Sequence, residues 1–142
     1  MKKLKLSKNA LLILEQRYLK KDEKGRIIEK PEDLFRRVAK DIAQADAKYK
    51  NKNIMRTEKE FYNLMVSLDF LPNSPTLLNA GRKLQQLAAC FVVPVEDNIN
   101  SIFKALLDTA LIHKTGAGTG FNFSRLRPKG DAIEGSGFTS GP

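Results

Sequence analysis

Apolar positions give this chain two textures. In the first half they recur at helical spacing. Leu11, Leu12, Leu14, Tyr18 and Leu19 fall mostly on one side at a period of 3.6, behind Ser7 in an N-cap position, which predicts a helix to about residue 19. KKDEKGRIIEK follows, where Gly25 stands between polar residues and a brief Ile27–Ile28 run, the pattern of a small hairpin or irregular connector. Pro31 suits a first helical turn, Glu32 and Asp33 favour the positive end of the helix dipole, and Leu34, Phe35, Val38, Ala39, Ile42 and Ala43 mark one face. A third helix is predicted from Thr57, because Thr57 and Glu60 have capping-box spacing and Phe61, Leu64, Met65 and Leu68 repeat at i, i+3, i+4, i+7. It stops near Pro72.

From about residue 70 charge density falls, Gly and Pro rise, and apolar residues come in short runs. This places a boundary between an N-terminal helical region, residues 1–70, and a second part, residues 71–142. The second part begins with a polar, proline-stiffened loop and continues as strand, helix, strand. Leu87 to Val95 is a continuous apolar run suited to a strand covered on both faces, as parallel strands are. Ser101 to His113 has helical spacing, TGAGTG breaks the helix, and FNFSRLR supplies a second strand. The product is a βαβ unit with parallel strands. One such unit covers neither face of its sheet, and DAIEGSGFTSGP is a glycine-rich loop without a closing element, so the second part is expected to open a larger α/β domain.

Composition narrows the classes. Apolar runs are short, far below the roughly 18 residues that span a bilayer, which excludes a membrane-spanning helix and leads to the expectation of a cytoplasmic protein. A single cysteine, Cys90, cannot form an internal disulfide, and a single His with a single Cys makes no self-contained zinc site. The net charge of +9 is uneven: residues 1–60 hold 18 Lys and Arg against 10 acids, residues 61–142 only 7 against 6. These bases are interleaved with acids at helical spacing and accompany no nucleic-acid motif, which argues for a solvated helix surface over a nucleic-acid footprint.

Three stretches are candidates for chemistry. TGAGTG has alternate glycines that would admit an anion to the backbone, but it follows a helix and precedes a strand, the reverse of the phosphate-loop order, and its spacing favours a tight helix-to-strand connection. SRLRPKGD carries Arg125, Arg127 and Lys129 just after a strand, so an arginine there meets an anion, either an acid such as Asp97 or a ligand phosphate. Cys90 reads either as a small apolar filler or as a reactive thiol, and spacing leaves both open.

The stretch LDFLPNSPTLLNAGRKLQQLAACFVVPVEDNINSIFKALLDTALIHKTGAGTGFNFSRLRPKGD resembles the start of the catalytic region of ribonucleotide reductase large chains, most of all the adenosylcobalamin-dependent (class II) enzymes. The resemblance covers residues 7–142 and is most specific from Asn73 to Gly130. It implies a fold of N-terminal helices followed by the first βαβ part of a ten-stranded α/β barrel. It also implies roles. Ser74, with Thr76 as a neighbouring candidate, would contact the phosphates of a ribonucleotide substrate; Ala89, largely through its backbone, and Gly118 would lie against the substrate. Cys90 would be one of two cysteines that reduce the ribose and close into a disulfide, reopened by a thioredoxin-like reductant. Asp97, Asn98, Ile99 and Arg127 would fall at an allosteric site for a deoxynucleotide or ATP effector.

Two departures from the family are small: Ala88 where a Ser is common, and Ala117 where a third Gly is. By the same resemblance the radical cysteine, the partner thiol and the cobalamin-binding surface lie beyond Pro142. The chain is therefore expected to be a fragment, from a split gene, an intein-interrupted piece or a truncation, that is silent without a complementary reductase fragment. A second hypothesis is a non-catalytic nucleotide-binding or regulatory fragment of the same family, holding deoxynucleotide through Asp97 and Arg127 without turnover.

Overall fold

The computed structural model describes residues 4–49, 53–133, 135 and 137–141. The basic start Met1–Lys3 lies outside them, as do Glu134, Ser136 and Pro142 of the glycine-rich closing stretch. The chain forms two compact units, Met1–Ala88 and Ala89–Pro142.

The first unit is helical. Ser7 caps α1 (Lys8–Ile13) by accepting the Ala10 N–H at 3.1 Å, and α1 runs on into a π-helical turn, Leu14–Tyr18. The KKDEKGRIIEK connector is a small hairpin: Lys21 bridges Ile27 antiparallel, and Gly25 makes the turn with φ +76°. Helix α2 (Pro31–Ala43) has the limits its pattern predicts, and the Asp33 carboxylate accepts the Lys30 N–H at its start. A short 3-10 turn, Gln44–Lys48, follows.

Helix α3 (Ile54–Val66) begins three residues before the predicted Thr57, because Asn53 caps it by accepting the Arg56 N–H at 3.1 Å. Thr57 is instead inside the helix, with its hydroxyl on Asp46. Its buried residues are Tyr62, Met65 and Val66, with Phe61 packed beside them, while Leu64 and Leu68 are exposed. The helix also ends early. Leu68 takes φ +61°, its N–H reaches Met65 O, and Asp69 N–H reaches Leu64 O, a Schellman closure made with leucine in the glycine position. The expected loop after Pro72 contains a further helix, α4 (Ser74–Asn79), capped by Asn73 with Pro75 in its first turn.

The core of this unit gathers around α2. Leu34, Phe35 and Val38 are fully enclosed by Leu19, the α3 face, Leu77 and Ala80. Because α4 packs on α2, and Leu87 joins the same cluster, the division between units falls after Ala88 and not near residue 70.

In the second unit β1 (Cys90–Pro94) and β2 (Gly118–Asn122) pair in parallel through α5 (Ile99–Lys114), the predicted βαβ order. A two-residue hairpin, β3 (Ala132–Ile133) with β4 (Gly137–Phe138), lies further along. Two expectations change. Strand β2 starts inside the glycine-rich stretch, so Gly118 and Gly120 are strand residues. Strand β1 is shorter than Leu87–Val95 and is not covered on both faces: Val93 and Val95 are buried with Ala105 of α5, but Val92 is 83% exposed. Among the described residues β2 is its one ladder neighbour.

Candidate functional site

The predicted site residues fall into two groups, one in each unit. In the helical unit they belong to α4. Asn73 does two jobs there: its Oδ1 accepts the Thr76 N–H at 3.1 Å, and its Nδ2 donates to Leu87 O at 3.0 Å. Thr76 is buried, and its one hydroxyl proton is shared between two acceptors, Asn73 Oδ1 and, at 3.2 Å, Leu87 O. That hydroxyl is engaged within the chain, which makes Ser74 the more accessible of the two candidates for a phosphate. Ser74, by contrast, is exposed, and its Oγ lies 2.9 Å from the Tyr18 hydroxyl.

A buried charge cluster holds the other end of α4. Arg37 grips Glu29 with two nitrogens, at 2.7 and 3.2 Å, and donates to Leu77 O and Ala80 O, carbonyls of the last helical turn. Arg82 reaches the same carboxylate at 3.4 Å and Tyr18 O at 2.7 Å. Burial pushes the Glu29 carboxyl up. The Arg37 hydrogen bond, the Lys20 N–H and the charges of Arg37 and Arg82 together outweigh it, so the group titrates below its ordinary value and stays ionised. Sequence reasoning missed Tyr18, Glu29, Arg37 and Arg82 as site-shaping residues, since nothing in their spacing pairs residues 40 or more apart. Asn73 falls in the expected loop; an Asn directly before Ser74–Pro75 is the signal that could have marked it as a cap.

The helical unit also has an apolar cavity of about 480 Å³ between α2 and α3, walled by Val38, Ile42, Phe61, Met65 and Phe70 with Thr76 as its polar lining. It offers no charged group to a nucleotide.

In the second unit the ladder brings three predicted residues together. Cys90 and Gly118 are register partners, and the Gly118 N–H donates to Ala89 O at 2.8 Å. Strand alternation puts Cys90 and Val92 on one face with Gly118 and Gly120. The opposite face carries Val93 and Thr119 toward α5, where Thr119 Oγ1 lies 3.0 Å from His113 Nε2. On the Cys90 face a Cβ built on Gly120 would meet nothing within 4 Å, and one on Gly118 only Ala89 O at 3.9 Å. The exposed thiol therefore stands beside bare backbone, with room for a flat ligand against the strands.

The connection from β1 to α5 is tied to the segment after β2 by two ion pairs. Arg127 Nε meets Asp97 Oδ2 at 2.6 Å, and its Nη2 lies 3.5 Å from Asp97 O. Arg125 pairs with Glu96, a residue the sequence reading did not single out. Asn98 caps α5 by accepting the Ser101 N–H at 2.9 Å, and Ile99, first in the helix, is 64% exposed. Of the two readings open for the arginines, pairing with an acid is the one realised here, in pairs open enough to water for an anion to compete.

Along the chain a mainly helical unit is followed by a parallel βαβ unit with an exposed strand thiol. Residues 4–85 match the family model "Ribonucleotide reductase, all-alpha domain" and residues 88–142 match "Ribonucleotide reductase, barrel domain". The chain belongs to the ribonucleotide reductase large-chain family. It is 43% identical over 195 residues to the vitamin B12-dependent ribonucleoside-diphosphate reductase of Thermoplasma acidophilum, covering 98% of this chain and 25% of that protein. It is 46% identical over 140 residues to the protein of the same description from Mycobacterium tuberculosis strain H37Rv, covering 98% and 20%. The ribonucleoside-diphosphate reductase subunit alpha of Bacillus subtilis is 38% identical over 117 residues, covering 82% and 16%. The chain thus spans a quarter or less of these relatives. The two family models meet where the two compact units divide. Among the described residues no helix is long and apolar enough to cross a membrane.

Proposed function

We propose that this chain supplies the N-terminal part of a ribonucleotide reductase, contributing a substrate-phosphate contact, one reducing thiol and part of an effector site. The observation that carries the reading is the β1–β2 register: Cys90 and Gly118, which the family resemblance gives to the substrate, lie side by side on one open sheet face, and the Ala89 carbonyl adjoins them by accepting the Gly118 N–H. The descriptions of the two most similar relatives named above favour a ribonucleoside diphosphate as substrate. Within this reading the βαβ unit opens the ten-stranded barrel.

Removing the ribose 2'-hydroxyl as water takes two electrons and two protons. Cys90 and a second thiol outside these residues provide both as they close into a disulfide, and a thioredoxin-like dithiol reopens it by exchange. Adenosylcobalamin, held outside these residues, would supply the radical chemistry that a further cysteine, also outside them, would pass to the ribose. Among the described residues no cluster of three or more metal-binding side chains occurs, and we assign none of them to holding the cobalamin. Ser74 donates its hydroxyl to a substrate phosphate. Asp97, Asn98, Ile99 and Arg127 meet a deoxynucleotide or ATP effector, whose phosphate competes with Asp97 for the Arg127 guanidinium.

The test is reconstitution. The chain is joined with the remainder of a class II reductase, adenosylcobalamin, a ribonucleoside diphosphate, an effector and a dithiol, and deoxynucleotide is measured. Product is expected with the native chain, and Cys90→Ser is expected to reduce multiple turnover to background. Undiminished turnover by Cys90→Ser would remove the thiol from the reaction.

A further inference from the structure

We propose that Tyr18 is a positioning residue for substrate binding, holding Ser74 so that its hydroxyl points its proton at a phosphate; the inference rests on the reading of Ser74 given above. The two hydroxyl oxygens are 2.9 Å apart across 56 residues of sequence. A hydroxyl has one proton to donate, and a phosphate oxygen only accepts. When Ser74 donates to phosphate, its contact with Tyr18 therefore has Tyr18 as donor and Ser74 Oγ as acceptor. A chain of two such bonds polarises the serine toward the anion.

Tyr18 is itself held from three sides. Its ring packs on the buried cluster of the helical unit. Its carbonyl accepts from Arg82 at 2.7 Å, and two residues on the Lys20 N–H donates to Glu29 Oε2 at 2.9 Å. The chain between them carries Leu19, which is buried, and closes the π-helical turn through Leu19 N–H to Leu14 O at 2.8 Å. Glu29 also holds Arg37, which grips the far end of α4. The helix bearing Ser74 is thus fixed at its last turn by Arg37 and at its first by Tyr18, and both holds return to one carboxylate. Loss of the tyrosine hydroxyl would free the Ser74 rotor without disturbing either the ring packing or the Glu29 cluster.

The experiment compares native chain, Tyr18→Phe, Ser74→Ala and the double variant in the reconstituted reductase, reading KM and kcat for ribonucleoside diphosphate together with the thermal midpoint. Tyr18→Phe is expected to raise KM about threefold to tenfold, the range one hydrogen bond supports, with kcat and midpoint unchanged. Added to Ser74→Ala it is expected to do nothing more. An unchanged KM in Tyr18→Phe, an equal increase on the Ser74→Ala background, or a loss of kcat that tracks a lowered midpoint would each overturn the inference. If Ser74→Ala raises KM and Tyr18→Phe does not, the inference alone falls; if Ser74→Ala has native KM, the phosphate role of Ser74 falls first and takes it along.

Discussion

Gly81 shows how one residue fits two demands. Its φ of +69° lies in the left-handed region, and a Cβ there would stand 2.9 Å from Arg37 Cγ. Arg37 cannot move aside cheaply, because its guanidinium is fastened to Glu29, Leu77 O and Ala80 O. Gly81→Ala is therefore expected to lower the stability of the helical unit by about 1–3 kcal/mol, from the left-handed backbone cost plus the strained arginine bonds. Urea denaturation followed by circular dichroism measures it, and a change within about 0.5 kcal/mol, the range of a neutral surface substitution, would show that Arg37 yields freely. At this scale the sequence was least informative. Gly81 and Arg82 stand in the stretch singled out by resemblance, yet their partners Arg37, Glu29 and Tyr18 are 44 to 64 positions away, and no local pattern encodes such a pairing.

Elements were legible where local signals agreed and illegible where they competed. Helix α2 has proline, acids and periodic apolar residues all pointing to one start, and the structure begins it at Pro31 and ends it at Ala43, the last of the periodic residues. Helix α3 is capped at Asn53 and not at Thr57, because the Asn53 side chain accepts the Arg56 N–H while the Thr57 hydroxyl is engaged by Asp46 from outside the helix, a partner the local pattern does not show. At helix α4 two prolines flank NS and point to a loop, although Asn73 before Ser74–Pro75 is also the start of a helix. The end of α3 is its costly feature. Leu68 pays the left-handed backbone cost of about 1–2 kcal/mol, and its side chain is half exposed, so packing returns little. Leu68→Gly is expected to raise stability by about 0.5–1 kcal/mol after the greater freedom of glycine in the unfolded chain is set against the relief. The midpoint of urea unfolding reads the change, and a lower midpoint would mean that Leu68 contributes packing its exposure does not suggest.

The two units differ in how much of themselves they bury. Among the described residues the helical unit encloses ten in one cluster, whereas the core of the βαβ unit is Val93, Val95 and Ala105 with Ile112 and Leu126 beside it. Helix α5 leaves Ile99, Phe103, Leu106, Leu107 and Leu111 exposed. The sequence announced this difference through its change of texture, but it set the boundary at the last long helix, since the packing of α4 on α2 is a long-range event that periodicity cannot register. Burial of apolar area is the main source of stability, so the two units should open at different free energies. Native-state hydrogen exchange on the isolated chain is expected to show its highest protection in α2 and α3 and markedly lower protection across β1, α5 and β2. Joining the chain to the rest of the reductase is expected to raise protection in β1, α5 and β2 more than in α2, because new neighbours can cover what those elements leave bare. Equal protection of both units in the isolated chain would mean that the small cluster is reinforced in a way its burial does not reveal, and would count against reading the βαβ unit as the opening of a larger barrel.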